Sequence, residues 1–241
     1  MIVDERMVTY INSLDTGSGE FLDRLELQAR KDRVPIIRRE MQSFLKVLLQ
    51  IKRPVRILEV GTAVGFSALL MAKYTPEETR IVTIEKYEKR IPIAKENFRA
   101  GGMEHRITLM EGEALEILKD MNDTFDFIFM DAAKGQYIHF YPEVMRLLEP
   151  GGVLVSDNVL QEGDLIESHF AVERRNRTIY KRMRDYLYLL KHDERLETSI
   201  LPVGDGAAVS FRKETGTLEL WVNKERQQYE KTRIINTGEQ S

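Results

Sequence analysis

The stretch Ile57–Ser67, reading I-L-E-V-G-T-A-V-G-F-S, constrains the fold of this chain more than any other. Pro54 closes a helical pattern just before it. Val55, Ile57, Leu58 and Val60 then form a short β-branched run, the pattern of a strand buried on both faces in a parallel sheet. Glu59 and Gly61 fall at its carboxyl end, and Gly65 precedes a segment that reads as a helix through Tyr74. A glycine-punctuated turn from strand to helix lets the backbone approach a ligand and points a helix amino terminus at it. Twenty residues past Gly65 a second strand, Arg80–Glu85, ends in a carboxylate. In nucleotide-binding α/β folds a carboxylate there hydrogen-bonds a ribose diol, so the stretch predicts a ligand with an adenosine-like part.

The rest of the chain agrees with such a sheet. From Pro54 onward the pattern alternates, with strands near 55–60, 80–85, 106–111, 125–131 and 152–157 and helices near 64–74, 86–100, 113–121 and 137–149. That alternation implies parallel strands with right-handed crossovers. A long polar helical segment over 160–192 leads to Leu196–Val203, Gly204-Asp205-Gly206 and Ala207–Arg212, the signature of a terminal antiparallel hairpin. Before the sheet come three helices. The first carries Val3, Met7, Tyr10, Ile11 and Leu14 on one face; the second is capped by Ser18. The third has Pro35 in its first turn. These helices must pack on the sheet, cover the ligand or join two subunits. One domain over 1–213 is expected, with 1–52 as a helical cap and 214–241 as a polar tail.

Composition removes several alternatives. The chain has 241 residues and no cysteine, which excludes disulfides, thiolate metal sites and a cysteine nucleophile, and fits a reducing cytoplasm. Neither a signal peptide nor an apolar run long enough to span a bilayer is expected, so no membrane partner is predicted. A net charge of -3 argues against indiscriminate affinity for nucleic acid.

The candidate chemical groups collect at strand ends, where open α/β sheets bind ligands. The fourth strand ends in Asp131 with Lys134 just beyond, and the fifth ends in Asp157-Asn158. Two carboxylates and a carboxamide make an all-oxygen set suited to Mg²⁺. The competing reading has Asp157 and Asn158 capping a loop while Asp131 pairs with Lys134. For the nucleotide-like ligand, Glu59 stands where a dinucleotide fingerprint needs glycine. A carboxylate there repels a pyrophosphate but suits a ligand carrying an ammonium and a sulfonium.

Taken together, Glu59 to Ser67, Glu85, Gly112-Glu113-Ala114, Asp131-Ala132-Ala133-Lys134, Asp157-Asn158 and Gly204-Asp205-Gly206 resemble the cation-dependent O-methyltransferases of the catechol and caffeoyl-CoA type, from about Pro35 to Lys213. The resemblance implies the seven-stranded Rossmann-like class I methyltransferase fold, an α/β sheet of five parallel strands plus the hairpin. It implies S-adenosylmethionine as cofactor, with Ile37, Glu59, Gly61, Ser67, Glu85, Glu113, Ala114 and Asp131 around it. Asp131, Asp157 and Asn158 would bind a divalent cation, and Lys134 would act as base beside Asp131. The plant enzymes differ at Ala133, where they have a carboxylate, and at Ser43, where they have glutamine, so their substrate site is not carried over. The opening V-P-I-I and the arginine-rich late segment are most similar to the bacterial tRNA 5-hydroxyuridine methyltransferases, which make 5-methoxyuridine at the wobble position.

Chemistry is consistent with that acceptor. In 5-hydroxyuracil the 5-hydroxyl lies beside the 4-carbonyl, and two vicinal oxygens chelate a divalent ion as a catechol does. The implied partner is a tRNA anticodon loop, held by the basic groups Arg38, Arg39, Arg174, Arg175 and Arg177. Those same residues also suit solvated helix faces. A small phenol as acceptor and a non-catalytic RNA-binding module are the alternative functions. By family analogy the chain is expected to be a homodimer.

Overall fold

The computed structural model describes residues 3–168 and 172–214. The expected tail, with Leu218 to Val222 and Trp221, lies almost wholly outside the described residues.

Three helices, α1 (Glu5–Ser13), α2 (Glu20–Lys31) and α3 (Arg39–Lys52), precede the first strand. Then β1 (Arg56–Val60), α4 (Phe66–Lys73), β2 (Arg80–Glu85), α5 (Ile91–Ala100), β3 (Ile107–Glu111), α6 (Ala114–Asp120), β4 (Phe125–Met130), α7 (Tyr137–Leu147) and β5 (Leu148–Ser156) alternate. The chain ends its described part with α8 (Arg177–His192), β6 (Leu196–Leu201) and β7 (Ala207–Arg212). One seven-stranded sheet results, in the order β3-β2-β1-β4-β5-β7-β6. Strands β1 to β5 pair in parallel, while β7 lies antiparallel between β5 and β6. Six strands therefore share one direction, because β6 reverses twice through β7. The strand order changes direction between β1 and β4, the crevice where open sheets of this kind bind ligands.

Alternation along the strands splits the core between two faces. Ile57, Phe127, Phe129, Val153 and Val155 face a layer containing Leu45, Leu70 and Phe98. Leu58, Ile128, Met130 and Leu154 face Tyr137, Val144, Met183 and Tyr186. Glu59 shares the face of Ile57, so it lies between the sheet and α4.

Three local expectations are corrected. Helix α3 starts at Arg39, and its N-cap Arg38 is extended with ψ 157°, so Pro35–Arg38 is a lip leading into the helix rather than its first turn. Ser18 is not the cap of α2; Gly19 holds that position without a side-chain bond, and the Ser18 N–H donates to Asp23 Oδ1 at 2.7 Å. The segment 160–192 is not one helix. Gly163, with φ 98°, leaves the helical region, and two short 3₁₀ turns (Gln161–Ile166 and Arg174–Asn176) precede α8.

Candidate active site

The β1–α4 turn is shaped by its glycines. Gly61 has φ 96°, and an added Cβ would collide with the main-chain oxygen of Asp131. This close approach seats the first strand tip on the fourth. Gly65, at φ 86°, starts α4 in the left-handed region. Above the turn lies a cavity of about 1020 Å³, whose wall includes Ile37, Gly61, Ser67, Glu85, Glu113 and Ala114. Asp131, Lys134, Asn158 and Arg38 line the same space. Seven of the eight residues implied for the cofactor thus face one chamber.

The exception is Glu59. It is wholly buried and absent from the chamber wall, because strand alternation turns it under α4. Thr83 Oγ1, its cross-strand neighbour, donates to its Oε2. Burial pushes the Glu59 carboxyl up to about 7, while Ser67, Thr62 and Thr83 draw it down. Thr62 and Ser67 lie near without completing a well-formed bond, since Oε1 has no partner among the described residues. Glu59 is thus set behind the chamber wall beside Ser67 and Thr62, with Oε1 left unpaired among the described residues.

Glu85 is fixed by three backbone amides. Its Oε2 accepts from Ala63 N at 2.8 Å, and its Oε1 accepts from Lys86 N at 3.0 Å and Tyr87 N at 2.8 Å. The first of these holds Ala63 at φ 49°, a conformation alanine rarely adopts. Glu113 caps α6 at the far end of the chamber and pairs with Lys86 at 3.2 Å on the surface.

Beside Gly61, the tips of β4 and β5 carry the three oxygen-bearing side chains; Asp131 and Asn158 line the chamber, while Asp157 is buried and absent from its wall. Asn158 Nδ2 donates to Asp131 Oδ1 at 3.2 Å, and the Asn158 N–H donates to Asp157 Oδ1 at 2.7 Å. Asn158 has φ 59°, which asparagine tolerates better than most residues. Desolvation lifts the Asp131 carboxyl to about 6, against the pull of Asn158 and Lys134. Asp157 is also raised well above the ordinary carboxyl value, by burial first and then by the charge of Asp131. Among the described residues no cluster of three or more His, Cys or carboxylate side chains forms a metal site; this set is two carboxylates and a carboxamide.

Lys134 is not paired with Asp131. Its Nζ lies 2.8 Å from Oδ2 of Asp205, a buried carboxylate in the β6–β7 turn. An added Cβ at Gly206 (φ 88°) would collide with Leu160, so the turn packs tightly on the loop after Asn158. Sequence reasoning noted the Gly204-Asp205-Gly206 turn but gave Asp205 no role, since a charged turn residue ordinarily faces solvent. Two further groups were missed. Tyr137 Oη lies 3.1 Å from the Met130 carbonyl and 3.0 Å from that of Asp157, and burial raises its pKa well above the ordinary phenol value. Buried Glu26 gathers Arg30 at 2.6 Å and Arg39 at 3.1 Å. Burial alone would raise the Glu26 acid, but the two arginines hold it below the usual range. Gln42 Nε2 donates to the Ile37 carbonyl at 3.1 Å, tying the lip to α3.

The basic residues divide by duty. Arg39 serves Glu26, Arg175 pairs with Glu173 at 2.6 Å, and Arg177 Nε donates to the Val172 carbonyl at 3.2 Å. Arg182 and Arg184 likewise hold main-chain carbonyls of Gly135 and Leu165. Arg38 stands on the chamber wall, while Arg174 and Lys181 are exposed.

The O-methyltransferase family model matches residues 15–213, which includes every group described above. The chain belongs to the O-methyltransferase family. It is an S-adenosylmethionine-dependent O-methyltransferase of the caffeoyl-CoA and catechol type. Caffeoyl-CoA O-methyltransferase 2 of Populus trichocarpa is 33% identical over 183 residues, covering 70% of this chain and 71% of the relative. A crystal structure from Staphylococcus aureus, provisionally named a caffeoyl-CoA O-methyltransferase, superposes with TM-score 0.79 at 30% identity, covering 85% of this chain and 98% of that one. An O-methyltransferase from Bacillus cereus in complex with S-adenosylhomocysteine gives TM-score 0.75 at 26% identity, covering 85% and 96%. No described helix of this O-methyltransferase is long and apolar enough to cross a membrane.

Proposed function

We propose that this O-methyltransferase uses a divalent cation and methylates the 5-hydroxyl of 5-hydroxyuridine at the wobble position of tRNA. The observation that carries the reading is that Asp131, Asn158 and Lys134 line the same chamber as Gly61, Ser67 and Glu85, with the buried Asp157 carboxylate bound to the Asn158 N–H. The donor set suits a divalent cation. Burial raises the pKa of both Asp131 and Asp157, and the charge of Asp131 raises that of Asp157 again, with Asp205 nearby and Lys134 as the offsetting cation. Once the Asn158 amide nitrogen is engaged by Asp131, its Oδ1 is the atom left to ligate, which suits Mg²⁺. A cation held there supplies charge that favours the ionised form of a chelated hydroxyl. S-adenosylmethionine supplies the methyl group.

The chain's own residues do the rest. Gly61 and Ser67 border the methionine part, Glu85 takes the ribose diol, and Glu113 and Ala114 border the adenine. Ile37, held by Gln42, closes the lip. Lys134 Nζ, after releasing its own proton to solvent, takes the proton from the acceptor hydroxyl as a neutral amine, and Asp205 fixes where that nitrogen sits. Positioning and electrostatics then contribute most of the acceleration. Arg38, Arg174 and Lys181 are the basic groups best placed to receive phosphates.

A catechol-like phenol is the second reading, favoured by the name of a relative, a catechol O-methyltransferase of Niastella koreensis, 32% identical over 130 residues. Nucleoside mass spectrometry of tRNA from cells lacking the protein decides between them. Loss of 5-methoxyuridine with accumulation of 5-hydroxyuridine supports the RNA acceptor; an unchanged profile refutes it. Salt is an independent check, because methylation of RNA should weaken steeply with ionic strength and that of a phenol should not. We further propose a homodimer. No residue of α1 is buried; Met7 and Tyr10 stay exposed, and exposed Ile11 and Leu14 line one groove with Val47 of α3. A monomer in light scattering at micromolar concentration would refute it.

A further inference from the structure

The ring of Tyr137 is fully buried among apolar side chains, a place that phenylalanine would fill as well. What phenylalanine lacks is the hydroxyl, and its two neighbours are informative. One is the carbonyl of Met130, the residue immediately before Asp131, at 3.1 Å; the other is the carbonyl of Asp157 itself, at 3.0 Å. Met130 and Ser156 form the last registered pair of β4 and β5. Beyond that pair, the Asp157 N–H donates to the Met130 carbonyl at 2.9 Å. The hydroxyl therefore bridges the two strands at the rung after which they part, directly beneath Asp131, Asp157 and Asn158.

The ring itself has little freedom. Tyr186 meets it edge-on with centroids 5.6 Å apart, and Tyr141 meets Tyr186 in the same manner at 6.2 Å. The Tyr186 hydroxyl lies 2.7 Å from Ser156 Oγ. Two helices, α7 and α8, thus brace the end of β5 through tyrosines, but only Tyr137 touches the main chain of both oxygen-bearing strand tips. A buried carbonyl that loses its donor is costly, and the backbone shifts to recover a partner. A shift at Asp157 changes the spacing of the carboxylates.

We infer that Tyr137 is a positioning residue, whose hydroxyl sets the separation of the Asp131 and Asp157–Asn158 strand tips and so the affinity of the site for a divalent cation. This rests on the cation reading proposed above. Side chains behind the ligands of a metal site change its affinity by roughly 10- to 100-fold when altered.

The test is titration of the whole chain with Mn²⁺ alone, following free Mn²⁺ by electron paramagnetic resonance, for wild type, Tyr137→Phe and Tyr186→Phe. The expected result is at least tenfold weaker binding in Tyr137→Phe, with Tyr186→Phe and the affinity of S-adenosylhomocysteine without metal unchanged within about twofold. Tyr186→Phe controls for loosening of the core and of the end of β5, because it removes an equally buried hydroxyl that reaches the Ser156 side chain but the main chain of neither tip. If wild type binds no Mn²⁺, the cation reading itself fails. If wild type binds and Tyr137→Phe binds equally well, or Tyr186→Phe weakens binding as much, the role of Tyr137 is overturned while the cation reading stands. Should Tyr137→Phe not fold, Tyr137→4-fluorophenylalanine fills the hydroxyl's space without donating, and the same outcomes apply.

Discussion

Replacing Glu59 by glutamine gives a stability change whose size follows from the site. The acid lies wholly within the layer between β1 and α4, and its carboxyl is pushed from 4.5 to about 7, chiefly by loss of water. The folded chain therefore holds this proton more tightly than the unfolded chain. Stability is fully present below about pH 4.5 and declines as pH rises towards 7 and beyond. At about 1.4 kcal/mol for each tenfold change in acidity, the ionised group destabilises the fold by on the order of 3 kcal/mol at pH 8. Glu59→Gln cannot ionise, keeps an acceptor for Thr83 Oγ1, and offers an amide nitrogen on the side of Thr62. The variant should match wild type at pH 5 and melt higher at pH 8. For a domain of this size roughly 2–4 °C accompanies each kcal/mol, so a gain of several degrees is expected. Differential scanning calorimetry of both proteins from pH 5 to 8, without cofactor, makes the comparison. Asp131 is present in both proteins but also helps to raise Glu59, so the difference reports Glu59 together with that coupling. A melting difference that does not change with pH would refute the reasoning.

Two further outcomes are expected. Asp205→Asn leaves Lys134 Nζ without its ion pair, so kcat should fall by roughly a hundredfold, with S-adenosylhomocysteine affinity held within about twofold; steady-state kinetics with calorimetric binding checks both, and an unchanged kcat makes Asp205 merely structural. Mn²⁺ affinity should fall as pH drops below about 6, where Asp131 takes up its proton, the opposite sense to the metal-free fold, which that same protonation stabilises; pH-independent Mn²⁺ binding between pH 5 and 7 would contradict it.

The parts of the molecule governed by short-range pattern were legible in the chain. The β-branched run at 55–60, the glycines at 61 and 65 and the carboxylates closing β2, β4 and β5 each carry their meaning within a few residues. What escaped depends on partners far away in sequence. The Lys134–Asp131 pairing considered beforehand was reasonable for residues three apart, yet the hairpin turn supplies a better partner 71 residues later. The carboxylate of Glu59 was legible as a group suited to a cationic ligand, but its burial between β1 and α4, bonded to Thr83, depends on strand β2. The arginines of 174–184 looked like one basic patch. Several of them hold carbonyls in the irregular segment before α8, a duty set by tertiary placement that composition does not reveal. Pro35 suits a first helical turn, but the chain stays extended through Arg38, and that extension forms the lip of the chamber.

The insertion of β7 between β5 and β6 has a bearing on how the molecule is made. The donor end of the chamber is complete by residue 114, and the strand tips with their oxygens are in place by 158. The carboxylate that holds Lys134 arrives only with the last hairpin, as does the strand that covers the open edge of β5. A chain emerging from the ribosome therefore has the residues of its chamber wall before it has the carboxylate that pairs with Lys134. The proton acceptor proposed above gains its fixed position only when synthesis has passed the final turn.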